Sequence, residues 1–248
     1  MAQSLELDDP KRVLEIRECV RSKPSLRRFY EEIYQKYAEC LNRCPSEGMA
    51  LELGSGAGFL KELLPEVITS DIIPYEGVDQ VVDATAMPFE DQSLRAIFML
   101  NVFHHIPDVG AFFKEAERCL VPNGRILLVD QFNGWLSGFY YKYLHHEPYD
   151  EHAQSWSFDS RGPLSDANGA LAWIVFERDR QKFEREYPSL QMARYSPHSP
   201  FRYFLAGGLK PWSLLPNWAF STFTSIDNGL VQISPKLASF VDIELVKK

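Results

Sequence analysis

Between residues 49 and 132, short apolar runs alternate with helical stretches: MALEL, a helix over 57–64, VITSDI, DQVVDA, LRAIFML, a helix over 108–120 closed by PNG, then RILLVDQF. Parallel strands cannot be joined by a tight hairpin, so strands that alternate with helices predict a parallel sheet with right-handed crossovers and helices on both faces. Two helices are expected ahead of it. One follows Asp9-Pro10; the other follows Pro24, where Leu26, Phe29, Tyr30, Ile33, Tyr37 and Leu41 recur at helical spacing. After residue 132 the rhythm breaks. An aromatic helix in GWLSGFYYKYLHH, a polar loop and a long helix through ALAWIVFERDRQKFEREY are too much chain for one crossover. SLQMARYS then reads as a returning strand and SFVDIELVKK as the closing one.

A chain of 248 residues with this hydrophobic content can bury one sizeable core. A net charge of −8 and the lack of any clustered basic stretch argue against a nucleic-acid partner. The first twenty residues are charged throughout, with no signal-peptide core, and no apolar run is long enough to span a bilayer, so a cytoplasmic location is expected. Cys19, Cys40, Cys44 and Cys119 lack paired spacing and read as reduced structural thiols.

The first strand runs into GSGAG, and in an open parallel sheet ligands bind beyond the carboxyl ends of the strands, where this turn lies. A dinucleotide turn wants G-x-G-x-x-G; here Phe59 stands where the third glycine would be, and Glu52 precedes the first glycine by two. A carboxylate there repels a pyrophosphate but suits an ammonium group. The turn is therefore expected to hold something cationic, which disfavours a nicotinamide-dependent oxidoreductase.

Glu52-x-Gly54-x-Gly56-x-Gly58 resembles motif I of the Rossmann-like S-adenosylmethionine-dependent methyltransferases. Asp71 at the end of VITSDI, the segment Asp83-Ala84-Thr85-Ala86-Met87-Pro88-Phe89, the stretch Asn101 to Ile106, and EAERCLVPNGRILLVD are similar to later segments of the same family, with Asn123 in place of a glycine. The resemblance covers about 45–132. It implies an α/β fold with a doubly wound seven-stranded sheet, six strands parallel and the last antiparallel, and a helical cap inserted around strands 5–7. The implied organisation is 1–44 as N-terminal helices over the cofactor cleft, 45–132 as cofactor-binding core, 133–238 as cap and substrate-recognition insertions including the sixth strand, and 239–248 as closing strand. It implies S-adenosyl-L-methionine as cofactor. Glu52, Gly54, Gly56 and Gly58 would hold its methionine part, Asp71 its ribose, Asp83 and Ala84 its adenine, and Asn101 would meet it from the fourth-strand side, with Ser55 and Ile72 as further cofactor contacts. Tyr30, Tyr34 and Tyr37 lie on the helix that passes the methionine end in relatives, where an aromatic face attracts a sulfonium, although the same spacing also simply buries a helix. Tyr30 is the candidate cofactor contact.

The expected reaction is methyl transfer, at oxygen rather than carbon or nitrogen, to a small-molecule, glycan or lipid-linked acceptor. A hydroxyl nucleophile needs help losing its proton, and His104 and His105 sit at the cleft end of the fourth strand, with His105 the candidate base. The alternative is a non-catalytic S-adenosylmethionine-binding regulatory or scaffold module. His145 to His152 offers three imidazoles and three carboxylates, but in no metal-ligand spacing; no metal is expected, and His145 or His146 reads better as lining the substrate site. The aromatic stretch 201–223 reads as a buried cap, or as an apolar patch for a lipid-linked acceptor and peripheral membrane contact.

Overall fold

The computed structural model describes residues 10–145, 147–160, 162 and 166–248. Its centre is a seven-stranded sheet made of β1 (Met49–Leu53), β2 (Val67–Asp71), β3 (Gln80–Val81), β4 (Leu94–Leu100), β5 (Leu120–Gln131), β6 (Leu190–His198) and β7 (Phe240–Lys247), in the order β3-β2-β1-β4-β5-β7-β6. β1 to β5 pair in parallel, and β7 runs antiparallel to both β5 and β6, as the resemblance implies. From β1 the sheet grows outward in both directions, so the order reverses between β1 and β4 and opens a crevice at their carboxyl ends.

The strands are apolar because both faces are covered. On one side lie α1 (Pro10–Ser22), α2 (Pro24–Leu41), α7 (Arg202–Leu205) and α8 (Phe220–Ile233). On the other lie α3 (Val109–Cys119), α5 (Leu171–Trp173) and α6 (Arg180–Glu186). α2 opens with Pro24 at its first turn and buries Leu26, Phe29, Ile33 and Tyr37 against Ala50, Phe98 and Leu127. α3 begins where the Asp108 carboxylate accepts the Ala111 N–H at 3.0 Å, and sends Phe112, Phe113 and Ala116 into the opposite layer. β7 shows the division of faces residue by residue: Val241, Ile243 and Leu245 enter the α3 layer. On the α2 side, buried Asp242 and Glu244 meet Lys36 at 2.8 Å and Arg43 at 2.9 Å.

Two expectations need correction. The helix expected over 57–64 is only a short 3-10 turn, Leu60–Glu62, because Gly54 and Gly56 hold positive φ before it and Pro65 disfavours helical backbone at its predecessor. The long helix expected through 170–187 is broken into α5, a wide π turn at Ile174–Arg178, and α6. Asp179 leaves helical geometry at the break, its N–H reaching Ile174 O at 2.8 Å and its carboxylate accepting the Trp156 indole N–H at 2.8 Å. α8 falls mostly in residues the sequence reading left unassigned, and it carries buried Asp227, which accepts from the Arg202 guanidinium at 3.1 Å. Asn123 takes φ +63°, the left-handed conformation that asparagine tolerates in place of glycine. No helix among the described residues is long and apolar enough to cross a membrane.

Candidate active site

A cavity of about 780 Å³ occupies the crevice at the carboxyl ends of β1, β2 and β4. The candidate cofactor and catalytic residues Tyr30, Glu52, Gly54, Ser55, Gly56, Gly58, Asp71, Ile72, Asp83, Ala84, Asn101, His104 and His105 line it. Tyr34 joins them, whereas Tyr37 stacks on Phe98 at 4.4 Å in the core and has the packing role its spacing also allowed.

The turn after β1 is shaped by what its glycines avoid. A Cβ on Gly54, at φ +63°, would come within 2.4 Å of Val102 Cγ2, and one on Gly58 within 2.5 Å of the Tyr34 hydroxyl. The Ser55 N–H donates to Ser70 O at 2.8 Å and the Phe59 N–H to the Tyr34 hydroxyl at 3.3 Å, so β2 and α2 clamp the turn from both sides.

Glu52, on β1, is 2% exposed, and its Oε2 has no hydrogen-bond partner among the described residues. Burial pushes its carboxyl up to about 7, the Ser55 hydroxyl opposing and the Asp71 charge adding to the shift. Asp71, at the end of β2, accepts the Gly56 N–H at 3.0 Å and the Ile73 N–H at 3.1 Å. Burial raises its pKa against those amides. Asp83 Oδ1 accepts both the N–H and the hydroxyl of Thr85 at 2.7 Å, which fixes the carboxylate on the cavity rim. Asn101 follows β4 at φ +55°, and its Oδ1 is buried without a partner among the described residues. Two buried acceptor atoms without donors, in residues that line one cavity, are costly unless a ligand supplies the donors.

The facing wall is of another kind. His104 is 1% exposed, and its Nδ1 lies 2.6 Å from Asp130 Oδ1 at the end of β5. Its Nε2 faces Glu147 Oε2 at 3.4 Å. His105, with its side chain 14% exposed, directs Nδ1 to the Asp166 carbonyl at 3.2 Å and Nε2 to Glu147 Oε1 at 3.6 Å. Burial opposes a charge on His104, but Asp130 and Glu147 outweigh it and push the imidazole up to about 10. For Glu147, burial is likewise outweighed, and the two histidines hold the carboxyl well below the usual range. Gln131 bridges the group, its Nε2 donating to Glu147 Oε2 at 3.1 Å.

Among the described residues of the His145 to His152 segment, the imidazoles of His145 and His152 are not gathered together. His145 lines the cavity with Nδ1 at 3.5 Å from Glu147 Oε2, His152 is largely exposed away from it, and His146 lies outside the described residues. Glu147 instead crosses to the histidines after β4. Sequence reasoning missed that pairing because no local spacing encodes a contact between residues so far apart in the chain. The 201–223 stretch divides: Tyr203, Phe204 and Trp212 line the cavity, Leu215 and Phe220 are buried, and Leu214 and Trp218 are 71% and 85% exposed.

Residues 51–128 match the family model described as methyltransferase domain. Over 108 residues the chain is 29% identical to the uncharacterized methyltransferase YcgJ of Bacillus subtilis (strain 168), a match covering 36% of this chain and 43% of that protein. A 50-residue stretch is 40% identical to chloroplastic tocopherol O-methyltransferase of Arabidopsis thaliana, covering 20% of this chain and 14% of that one. The chain thus spans less than half the length of either curated relative. Among solved structures, geranyl diphosphate C-methyltransferase from Streptomyces coelicolor A3(2), in complex with Mg2+, geranyl diphosphate and S-adenosyl-L-homocysteine, aligns with a TM-score of 0.50 at 11% identity. That alignment covers 100% of this chain and 87% of that one, a likeness of fold.

Proposed function

We propose that this chain, whose residues 51–128 form a methyltransferase domain of the Rossmann-like class I type, moves a methyl group from S-adenosyl-L-methionine to a hydroxyl of a small-molecule, glycan or lipid-linked acceptor. The observation that carries the reading is the pair of orphaned buried acceptors, Glu52 Oε2 and Asn101 Oδ1, lining one cavity with the glycine turn and Asp71.

These residues fit the cofactor. Glu52 accepts from its ammonium group, Asp71 from its ribose hydroxyls, and Asp83 with the Ala84 backbone meets the adenine edge. Tyr30 and Tyr34 offer ring surface near the methionine end, where a cation is attracted to aromatic faces. When bound, the cofactor supplies a methyl group made electrophilic by its sulfonium. The protein's task is then to align the acceptor oxygen with that methyl and to exclude water. Tyr203, Phe204 and Trp212 form the apolar side of the cavity that does the excluding. His104, His105 and Glu147, on the facing wall, meet the acceptor hydroxyl and assist loss of its proton.

An acceptor with an apolar tail suits the surface beside the cavity. Tyr140 of α4 (Trp135–Tyr143) packs on Phe204 at 4.6 Å, while Trp135, Leu136, Phe139 and Tyr143 of the same helix are 66%, 52%, 59% and 64% exposed. Trp212, Leu214 and Trp218 are exposed as well, and apolar side chains of these types suit a membrane interface. The test is transfer of label from methyl-labelled cofactor into separate lipid-extract, glycan and small-polar-metabolite pools. Label in a lipid or glycan fraction supports the reading, and cofactor binding with no transfer into any pool supports a sensor or scaffold instead.

A further inference from the structure

The loop after β4 and the segment after α4 bring together three side chains whose donor atoms point at one another. A carboxylate and a backbone carbonyl can only accept, so the ring nitrogens facing Asp130 Oδ1 and the Asp166 oxygen, Nδ1 in both histidines, must be the ones that carry hydrogen. Metal binding displaces the proton from the other ring nitrogen, and it is then Nε2 of His104 and of His105 that carry the lone pairs, both turned toward Glu147, with Gln131 Nε2 also 3.5 Å from His104 Nε2. The three donor atoms lie within 4.8 Å of one another. The Nε2–carboxylate separations of 3.4 and 3.6 Å are long for hydrogen bonds. They run to the two oxygens of one carboxylate, and each is close to the edge of a tetrahedron drawn around an ion with bonds of about 2.0–2.1 Å to nitrogen and oxygen, roughly 3.3–3.4 Å.

We propose that His104 Nε2, His105 Nε2 and the Glu147 carboxylate bind a divalent transition-metal ion of the zinc, manganese or iron class, with its open coordination positions facing the cavity. Three observations support this beyond the clustering. All three ligands line the cavity, and three protein ligands with an open position are the pattern of catalytic sites. Each histidine has its far nitrogen anchored by an oxygen, the outer arrangement that fixes ring orientation and raises ligand basicity. Gln131 donates to Glu147 Oε2, which orients the carboxylate as well. Two imidazoles with one carboxylate favour borderline transition metals over magnesium, which prefers oxygen ligands and keeps its waters.

The chemistry deepens the methyltransferase reading and rests on it. An acceptor hydroxyl bound to the ion loses its proton to water, and the oxygen's electron pair forms the new C–O bond. The C–S bond breaks with its pair going to sulfur, leaving a neutral thioether and a methyl ether. The ion lowers the hydroxyl pKa, so neither histidine has to act as the base.

The test is calorimetric titration of the chelator-stripped full chain with zinc chloride and manganese chloride, each alone, with magnesium chloride as comparator. One equivalent of zinc or manganese should bind. Glu147→Gln and His105→Asn should each weaken uptake by at least about tenfold, and Asp130→Asn by about 10–100-fold through the lost anchor. His152→Ala, exposed and away from the cluster, should leave uptake unchanged. Melting curves in chelator establish that each variant folds, and if Glu147→Gln does not, the part-exposed His105→Asn decides. No stoichiometric uptake, or uptake that survives both ligand substitutions, overturns the proposal. Binding of S-adenosylmethionine, measured in chelator, separates the two readings: cofactor bound without any metal uptake removes the metal site alone, and metal bound without cofactor removes the methyltransferase reading alone.

Discussion

On the cavity wall built by β1, β2 and Asn101, buried polar atoms lack partners, whereas on the wall built by His104, His105, Glu147 and Asp130 they satisfy one another. The first wall is incomplete as a folded surface and is finished by a ligand bearing donors. The second is complete as a cluster of charges, and what it can gain is an ion or an acceptor oxygen at its centre. Burial acts on both walls and gives opposite results. Glu52, with no cation beside it, is driven up to about 7. Glu147, flanked by two imidazoles, is driven down. Burial alone therefore does not set the charge of a carboxylate here; its neighbours do.

The largest expected effect sharpens this difference at Glu52. Its folded-state value of about 7 lies above an unfolded carboxyl near 4.5, so the folded chain holds a proton that the unfolded chain releases between those values. The unliganded protein is therefore most stabilised by this group below pH 4.5 and loses that stability as pH rises toward 7, by up to about 3 kcal/mol. Glu52→Gln should flatten that slope in urea unfolding measured from pH 5 to 8, while weakening cofactor affinity at pH 8, where the wild-type carboxylate is charged. An unchanged slope would mean that the carboxyl is not isolated. Next comes His105→Ala, which should spare cofactor affinity and lower turnover by about 100-fold, whether the imidazole takes the acceptor's proton itself or holds the ion that acidifies the hydroxyl. Full turnover would return His105 to packing. Asp71→Ala should weaken cofactor binding by about 1–3 kcal/mol through the lost hydrogen bonds to a charged acceptor. Equal affinity by calorimetry would show that the first wall is misassigned. The smallest effect is at the exposed tryptophans: Trp212→Ser with Trp218→Ser should reduce flotation with anionic liposomes by a few-fold, and equal flotation would remove the membrane contact.

The first wall was legible in sequence because its chemistry is local. Gly54 and Gly58 must lack a Cβ where Val102 and Tyr34 approach, and Glu52 and Asp71 stand at strand ends that apolar periodicity already located. The second wall was only half legible. His104 and His105 follow β4 directly, but Glu147 arrives from beyond α4, and Asp130 is buried by its place at the end of β5. Contacts of that kind are set by tertiary packing, which leaves no period in the chain. The interruption at Asp179 was hidden for the same reason, since Trp156 and Arg178 hold the carboxylate that ends the π turn. The short turn at Leu60–Glu62 is a different case: Gly56 and Pro65 both argue against a full helix there, and apolar spacing alone does not override them.

The most direct test of the central claim is isothermal titration of the purified chain with S-adenosylmethionine and with S-adenosylhomocysteine, using NADH as control. Saturable one-to-one binding of both sulfur compounds and none of NADH is the result expected from an isolated Glu52, an orphaned Asn101 and a glycine turn with its third glycine early. Binding of NADH, or of none of the three, would contradict it.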